Sequence, residues 1–203
     1  MKVFKNASLT RALPWMLIII GVIGLLCSFI LTVDKIQVLR DPSFRPGCDL
    51  NPVLSCGSVM NSSQSAALGF ENTFIGLAGF AVIITTGVVL LAGTQLKRWY
   101  WLGLQAGMTF GVLFVHWLIY NSLYRIGSLC PFCMVTWVVV ITGFWYVTLY
   151  NIEQNHIVLP DKLARITTFA RKHHLDILVG WLLVILVLIL AKFWYYYGPL
   201  LGF

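Results

Sequence analysis

The chain has 203 residues, 59% of them hydrophobic and only 10% charged, with a formal charge of +7 and a mean hydropathy of +0.86. A soluble domain carries roughly a quarter charged residues, so the composition excludes a free cytosolic enzyme, a nucleic-acid binder and a disordered protein. The basic residues sit in short gaps between apolar runs, the pattern of membrane topology rather than of a solvated basic face, and the chain reads as an all-α polytopic membrane protein.

A crossing helix needs about 20 mostly apolar residues, because the hydrocarbon core is about 30 Å thick and a helix rises about 1.5 Å per residue. The first such run spans Leu13 to Val33. It follows Lys2, Lys5 and Arg11 but is too long for a signal-peptide core, and Thr32-Val33-Asp34-Lys35 offers no small-residue cleavage site, so a retained anchor is expected. An outer loop, Asp34 to Thr73, follows; Pro42, Pro46, Gly47 and Pro52 make its first half turn-rich, and Ser58 to Phe70 allow a short surface helix. Loops of that length are usually functional or disordered. Four more spans are expected over Phe74–Leu96, Trp99–Asn121, Cys130–Tyr150 and Ile177–Tyr197. The organisation is then a four-helix transmembrane bundle over 1–150 (outer loop 34–73), a basic loop over 151–176, and a fifth transmembrane helix with a short tail over 177–203.

With the N-terminus inside, nine basic residues face the cytoplasm: Lys2, Lys5, Arg11, Lys97, Arg98, Lys162, Arg165, Arg171 and Lys172. Five face outward: Lys35, Arg40, Arg45, Arg125 and Lys192. The excess sets the N-terminus in and the C-terminus out. Trp15, Trp99-Tyr100-Trp101 and Trp194 to Tyr197 stand at expected interface depths.

Five cysteines carry the chemistry. Cys48 and Cys56 lie in the outer loop, and Cys130 and Cys133 form Cys-Pro-Phe-Cys at the start of the fourth span. Two crossings separate the pairs, so all four thiols emerge on one face, whichever way the chain is oriented. On the exocytoplasmic side disulfides persist. Pro131 suits the first turn of a helix, which puts Cys130 and Cys133 where free N–H groups and the helix dipole favour a thiolate, the attacking species in disulfide exchange. Two structural disulfides are the alternative. A zinc site is disfavoured, because structural zinc ligands come in pairs two to four residues apart and seven residues separate Cys48 from Cys56. Cys27, inside an apolar run, reads as a small buried hydrophobe. His116, in the third span, reads as a helix–helix hydrogen-bonding residue.

At these residues the chain resembles the bacterial form of the vitamin K epoxide reductase family. The resemblance rests on the outer-loop cysteine pair, the Cys-x-x-Cys opening a helix, an Asn before the second span and the order of the helices. It covers about Leu13 to Tyr150. It implies that Cys130 and Cys133 are the active-site pair, with Cys133 nearest a quinone, and that Cys48 and Cys56 shuttle electrons. It further implies that Asn72 hydrogen-bonds a quinone carbonyl and that Ser62 is a polar loop residue near the site. Trp137 stands where vertebrate members have a tyrosine, which keeps an aromatic wall but removes an acceptor. Many bacterial members carry a thioredoxin-like domain after the fifth span; with this chain ending at Phe203, a separate partner is expected to supply that function.

The resemblance implies a membrane thiol–disulfide oxidoreductase that oxidises a soluble thioredoxin-fold (DsbA-like) partner and passes electrons to ubiquinone or menaquinone, the partner attacking Cys48 as the more solvent-facing sulfur and Cys56 then attacking Cys130. The expected setting is the bacterial cytoplasmic membrane, with the site facing the periplasm or exterior. Alternatives are a DsbB-like enzyme, whose cysteine arrangement and four-span layout fit less well, and a quinone or vitamin K epoxide reductase of an endoplasmic-reticulum-type membrane running in reverse. A transporter or non-catalytic scaffold is the alternative of a different class. The span interiors offer no carboxylate or basic residue for a transport pathway.

Overall fold

The structure, a computed structural model, describes residues 7–41, 43–160 and 163–200; Lys2, Lys5, Pro42, Lys162 and the tail beyond residue 200 lie outside them. Among the described residues the α-helices are, in chain order, α1 (Ala7–Arg40), α2 (Cys56–Met60), α3 (Asn72–Leu91), α4 (Arg98–Asn121), α5 (Pro131–Glu153), α6 (Ala164–Lys172) and α7 (His174–Leu200). By length and composition α1, α3, α4, α5 and α7 can each cross a membrane. The protein is an all-α multi-pass membrane protein.

The helix ends differ from the sequence expectation in instructive ways. α1 continues past Val33 to Arg40; its 34 residues make about 51 Å of helix at about 1.5 Å per residue. It is therefore longer than the hydrocarbon core is thick, and its last turns bring Lys35 to the loop that carries Cys48 and Cys56. α3 stops at Leu91 rather than Leu96, because the chain turns at Gly93 with φ +82°, a left-handed position open to glycine. The short helix expected within Ser58–Phe70 begins earlier, at Cys56, and a 3-10 turn follows at Ser63–Ala66.

α1 lies along α3 and α5, and α4 packs on α5, whereas the consecutive helices α3 and α4 barely meet. Glycines let α1 and α3 close up: a Cβ on Gly24 would run into the Phe80 ring, and one on Gly87 would come within 2.7 Å of the Pro14 carbonyl oxygen. Leu13, Leu17, Phe80, Ile83 and Met108 fill the inner half of the bundle. The outer half is filled by Val112, Val115, Ile119, Trp137 and Ile141, over which α7 lays Leu178, Ile185, Ile189 and Phe193. The gap left between α3 and α4 is what gives the bundle a cavity.

Polar side chains tie the helices where the apolar contacts are thin. Trp181 on α7 donates Nε1–H to His116 Nε2 on α4 at 3.0 Å, and His116 Nδ1 meets the Val112 carbonyl at 2.7 Å. An indole nitrogen only donates, so Nε2 accepts and Nδ1 carries the proton: His116 is a neutral interhelical link. At the end of the bundle away from the cysteines Trp101 is buried, whereas Trp99 is exposed. Trp101 packs on Tyr150 and His156 with centroid distances of 4.4 and 5.7 Å. Asn151 and Arg98 hold that end together, donating to Gln105 Oε1 at 3.0 Å and to the His156 carbonyl at 2.8 Å.

Candidate active site

Local chain geometry brings the two cysteine segments together. Asn51 closes a turn by accepting from the N–H groups of Val53 and Leu54 at 2.9 and 2.8 Å, as Asn in an Asx turn does. That turn presents Val53–Ser55 to Leu129: Leu129 N–H donates to the Val53 carbonyl at 2.7 Å, and Ser55 N–H donates to the Leu129 carbonyl at 2.9 Å. Two backbone bonds thus pair the residues immediately before Cys56 with the residue immediately before Cys130. The adjoining cysteines are left side by side.

Cys48 and Cys56 form a disulfide with their Cα atoms 5.7 Å apart. Cys130 and Cys133 are free thiols. Cys130 Sγ stands 3.3 Å from Cys56 Sγ, inside a cluster with Leu31, Met60, Val59 and Phe132. Cys56 and Cys130 are 0% and 1% exposed and Cys48 is 7% exposed. Water is therefore kept from the sulfur pair, while Cys48 is the less covered end of the disulfide.

Two helix starts shape the electrostatics. Ser55 caps α2, its hydroxyl accepting from Ser58 N–H at 3.1 Å. Asp49 Oδ1 accepts from Gly57 N–H at 2.9 Å and from the Ser55 hydroxyl at 3.1 Å, which fixes Cys56 in the first turn. Cys130 is the N-cap of α5, one residue outside the span that starts at Pro131. Its sulfur accepts from Cys133 N–H at 3.3 Å. The neighbouring Cys133 thiol, with the backbone N–H groups of Cys133 and Phe132, holds the Cys130 thiol below its ordinary range against burial and the Asp49 charge. A lowered thiol at a helix N-terminus is the form that exchanges with disulfides.

Cys133 is only partly covered and lines a cavity of about 650 Å³ enclosed by α1, α3, α4 and α5. Asn72, Trp137, Phe80 and Met108 line it too, and Gly103 and Gly107 leave its α4 side open. The walls are mostly apolar. Polar side chains line it where α3 and α5 begin: Asn72, Thr73, Thr136, and Ser28 beside Gly76. Such a space accepts an apolar ring with oxygens at one end.

The sequence-expected residues fall in three groups. The four cysteines are together. Asn72 and Trp137 share the cavity with Cys133, with Trp137 buried at 3% exposure. Asn72 is the first residue of α3 rather than its cap, which is Glu71. Its Nδ2–H donates to the Gln64 carbonyl at 2.7 Å and its Oδ1 accepts from Ala67 N–H at 3.2 Å, so it clasps the outer loop and keeps one N–H over. Ser62 is not among the cavity-lining residues; its hydroxyl donates to the Val59 carbonyl at 2.7 Å and closes the turn after α2. Cys27 is a buried free thiol on α1.

Sequence reasoning passed over Asp49 and Lys35. Lys35 Nζ donates to the Met60 carbonyl at 2.6 Å and pairs with Glu71 at 3.4 Å, tying α1, the cysteine loop and the start of α3 to one another. The signal for Asp49 was its place between a cysteine and a Ser-Cys-Gly helix start. Lys35 gave none, because its partners are a carbonyl and a distant glutamate.

A search of curated proteins finds no match to the chain. The profile of the vitamin K epoxide reductase family matches residues 15–148, a stretch that contains α2 to α4, nearly all of α5 and the four clustered cysteines. The chain belongs to the vitamin K epoxide reductase family, membrane thiol oxidoreductases that exchange electrons with quinones.

Proposed function

We propose that the protein oxidises the dithiol of a soluble thioredoxin-fold (DsbA-like) partner and delivers the electrons to a membrane quinone, ubiquinone or menaquinone. The observation that carries the reading is the continuous sulfur path: a disulfide at the aqueous side, a thiol 3.3 Å from it, and a second thiol lining the apolar cavity. A scaffold stapled by two disulfides has no use for that path.

The relay balances as three exchanges. A partner thiolate attacks Cys48, the less buried sulfur; the partner leaves as a disulfide and Cys48 and Cys56 become thiols. The Cys56 thiolate then attacks Cys130 of a Cys130–Cys133 disulfide, and Cys48 resolves the mixed disulfide, which re-forms Cys48–Cys56 and leaves Cys130 and Cys133 reduced. This is the redox state of the structure. Quinone in the cavity supplies a two-electron, two-proton acceptor. Cys133 and Cys130 give up two electrons and two protons to it and close their own disulfide. Asn72 and Trp137 hold the ring, Asn72 by its remaining N–H and Trp137 as an apolar wall. Each 30 mV of potential difference is worth about 1.4 kcal/mol for two electrons, so an oxidising quinone drives the sequence one way.

The setting that suits this chemistry is a bacterial cytoplasmic membrane with the cysteines on the exocytoplasmic side and the N-terminus inside. The deciding experiment is anaerobic quinone reduction, followed optically, by purified protein with a reduced DsbA-type partner. Quinol is expected with the native chain and none with Cys133→Ala. If no quinone is reduced while both cysteine pairs stay oxidised, the disulfides are structural and the reading is wrong.

A further inference from the structure

Thr73 follows Asn72 in the first turn of α3 and lines the cavity near Cys133. Its Oγ1 is buried and has no hydrogen-bond partner among the described residues. That sets it apart from five other helical threonines. Thr85, Thr86, Thr109, Thr136 and Thr148 each donate to the carbonyl four residues earlier, at 2.7–2.9 Å, the usual resort of a hydroxyl in an apolar helix. Thr73 is only the second residue of its helix, and the residue four before it, Gly69, lies outside the helix at φ +85°. A buried hydroxyl without a partner is unfavourable until something supplies an acceptor.

The neighbours do not supply one. The Asn72 carbonyl oxygen is engaged by Ala67 N–H, and the Asn72 amide, like Thr73, has a donor left over. The Thr136 hydroxyl is engaged with the Phe132 carbonyl at 2.9 Å. Two donors without partners on consecutive residues therefore stand at the end of the cavity where its polar side chains gather. The chemical complement is an apolar molecule with a carbonyl oxygen at that end.

We propose that Thr73 Oγ1–H donates a hydrogen bond to a carbonyl oxygen of the quinone bound in this cavity, beside the donor left on Asn72. The proposal rests on the quinone reading and adds to it a binding residue whose side chain has no structural task. Asn72 in turn acts doubly, holding the loop through Gln64 and Ala67 while it faces the ligand. A donor at this position also gains strength as charge builds on the oxygen during reduction.

The test compares Thr73→Val, which removes the hydroxyl at nearly constant shape, with Thr73→Ser, which keeps it. Two properties of the detergent-solubilised protein are measured: the melting midpoint without ligand, and the affinity for a short-tailed quinone by titration calorimetry. Thr73→Val is expected to raise the ligand-free midpoint, since an unpartnered buried hydroxyl is gone. It is also expected to weaken quinone binding about tenfold, equivalent to about 1.4 kcal/mol. Thr73→Ser keeps affinity within about twofold of the native chain, a span of roughly 0.4 kcal/mol. A lowered midpoint, or a Thr73→Val variant that does not fold, means the hydroxyl has a structural partner and overturns the proposal. Unchanged affinity in Thr73→Val overturns it too, with the quinone reading intact. A native chain that binds no quinone overturns both.

Discussion

Removing Cys48 and Cys133 together leaves Cys56 and Cys130 facing each other at 3.3 Å, with neither resolving partner present. A disulfide needs about 2.05 Å, so each sulfur must move about 0.6 Å, a χ1 change of about 20° that stays within a rotamer well. No backbone displacement is required, because the Val53–Leu129 and Ser55–Leu129 hydrogen bonds already set the approach. Cys48→Ala/Cys133→Ala, treated with a mild thiol oxidant such as diamide, should therefore close Cys56–Cys130 in nearly every molecule. Cys27 is the control, as it alone should remain free. Alkylation after denaturation then labels one thiol per chain, and peptide mass spectrometry finds Cys56 joined to Cys130. Cross-linking positions separated by 74 in sequence stabilises by up to about 4 kcal/mol on chain-entropy grounds, so the oxidised variant should melt above its own reduced form. Three labelled thiols, or a bond involving Cys27, would refute the inference that the backbone pairing at Leu129 delivers Cys56 to Cys130.

The remaining expectations address the supports around that path. The Cys130 thiol is held below its ordinary range, so Cys56–Cys130 exchange, followed by quenched alkylation, should reach its plateau at lower pH than exchange by an ordinary cysteine thiol. It should slow as pH falls through the lowered value and thiol replaces thiolate. Asp49→Asn removes a charge that opposes that thiolate and should move the profile to lower pH; movement to higher pH contradicts the assignment. Lys35→Met removes the donor to the Met60 carbonyl and the Glu71 partner. Amide exchange across Gly57–Ala67 should quicken about tenfold, equivalent to about 1.4 kcal/mol, and unchanged protection would mean the loop is held by its other contacts. Trp181→Phe deletes the link to His116 and should lower the melting midpoint by the equivalent of about 1 kcal/mol while quinone reduction is unaffected. A loss of quinone reduction in that variant would argue that α7 positions the site and does more than cover the bundle.

The close approach of the sulfurs has a consequence for selectivity. Cys56 and Cys130 are almost fully covered, so a small thiol in solution meets Cys48 first. Exchange inside the cluster then takes place between groups held in contact, where effective concentrations far exceed those of solution thiols. Under the proposed function, the apolar cavity on the other side of Cys133 would separate the lipid-soluble reactant from the aqueous one. In the proposed relay the two half-reactions would thereby be kept apart by the dithiol itself.

The sequence by itself determined the spans, the shared face of the two cysteine pairs and the family. These depend on local quantities: the length of apolar runs, the parity of crossings between Cys56 and Cys130, and Pro131 opening a helix. The resemblance already implied that Cys56 rather than Cys48 turns to Cys130; tertiary structure alone supplied the reason, because the pairing of Val53–Ser55 with Leu129 joins segments 74 residues apart and leaves no periodic signal. It also decided that Trp101 is buried and Trp99 is not, that Ser62 closes a turn, and that Asn72 clasps the loop. In each case the residue type permits both outcomes, and the neighbour that settles the matter comes from elsewhere in the chain. The cavity is the clearest instance: it exists because α3 and α4, adjacent in sequence, pack on α1 and α5 instead of on each other, and hydropathy, which records only how apolar a helix is, does not say which helix it will touch.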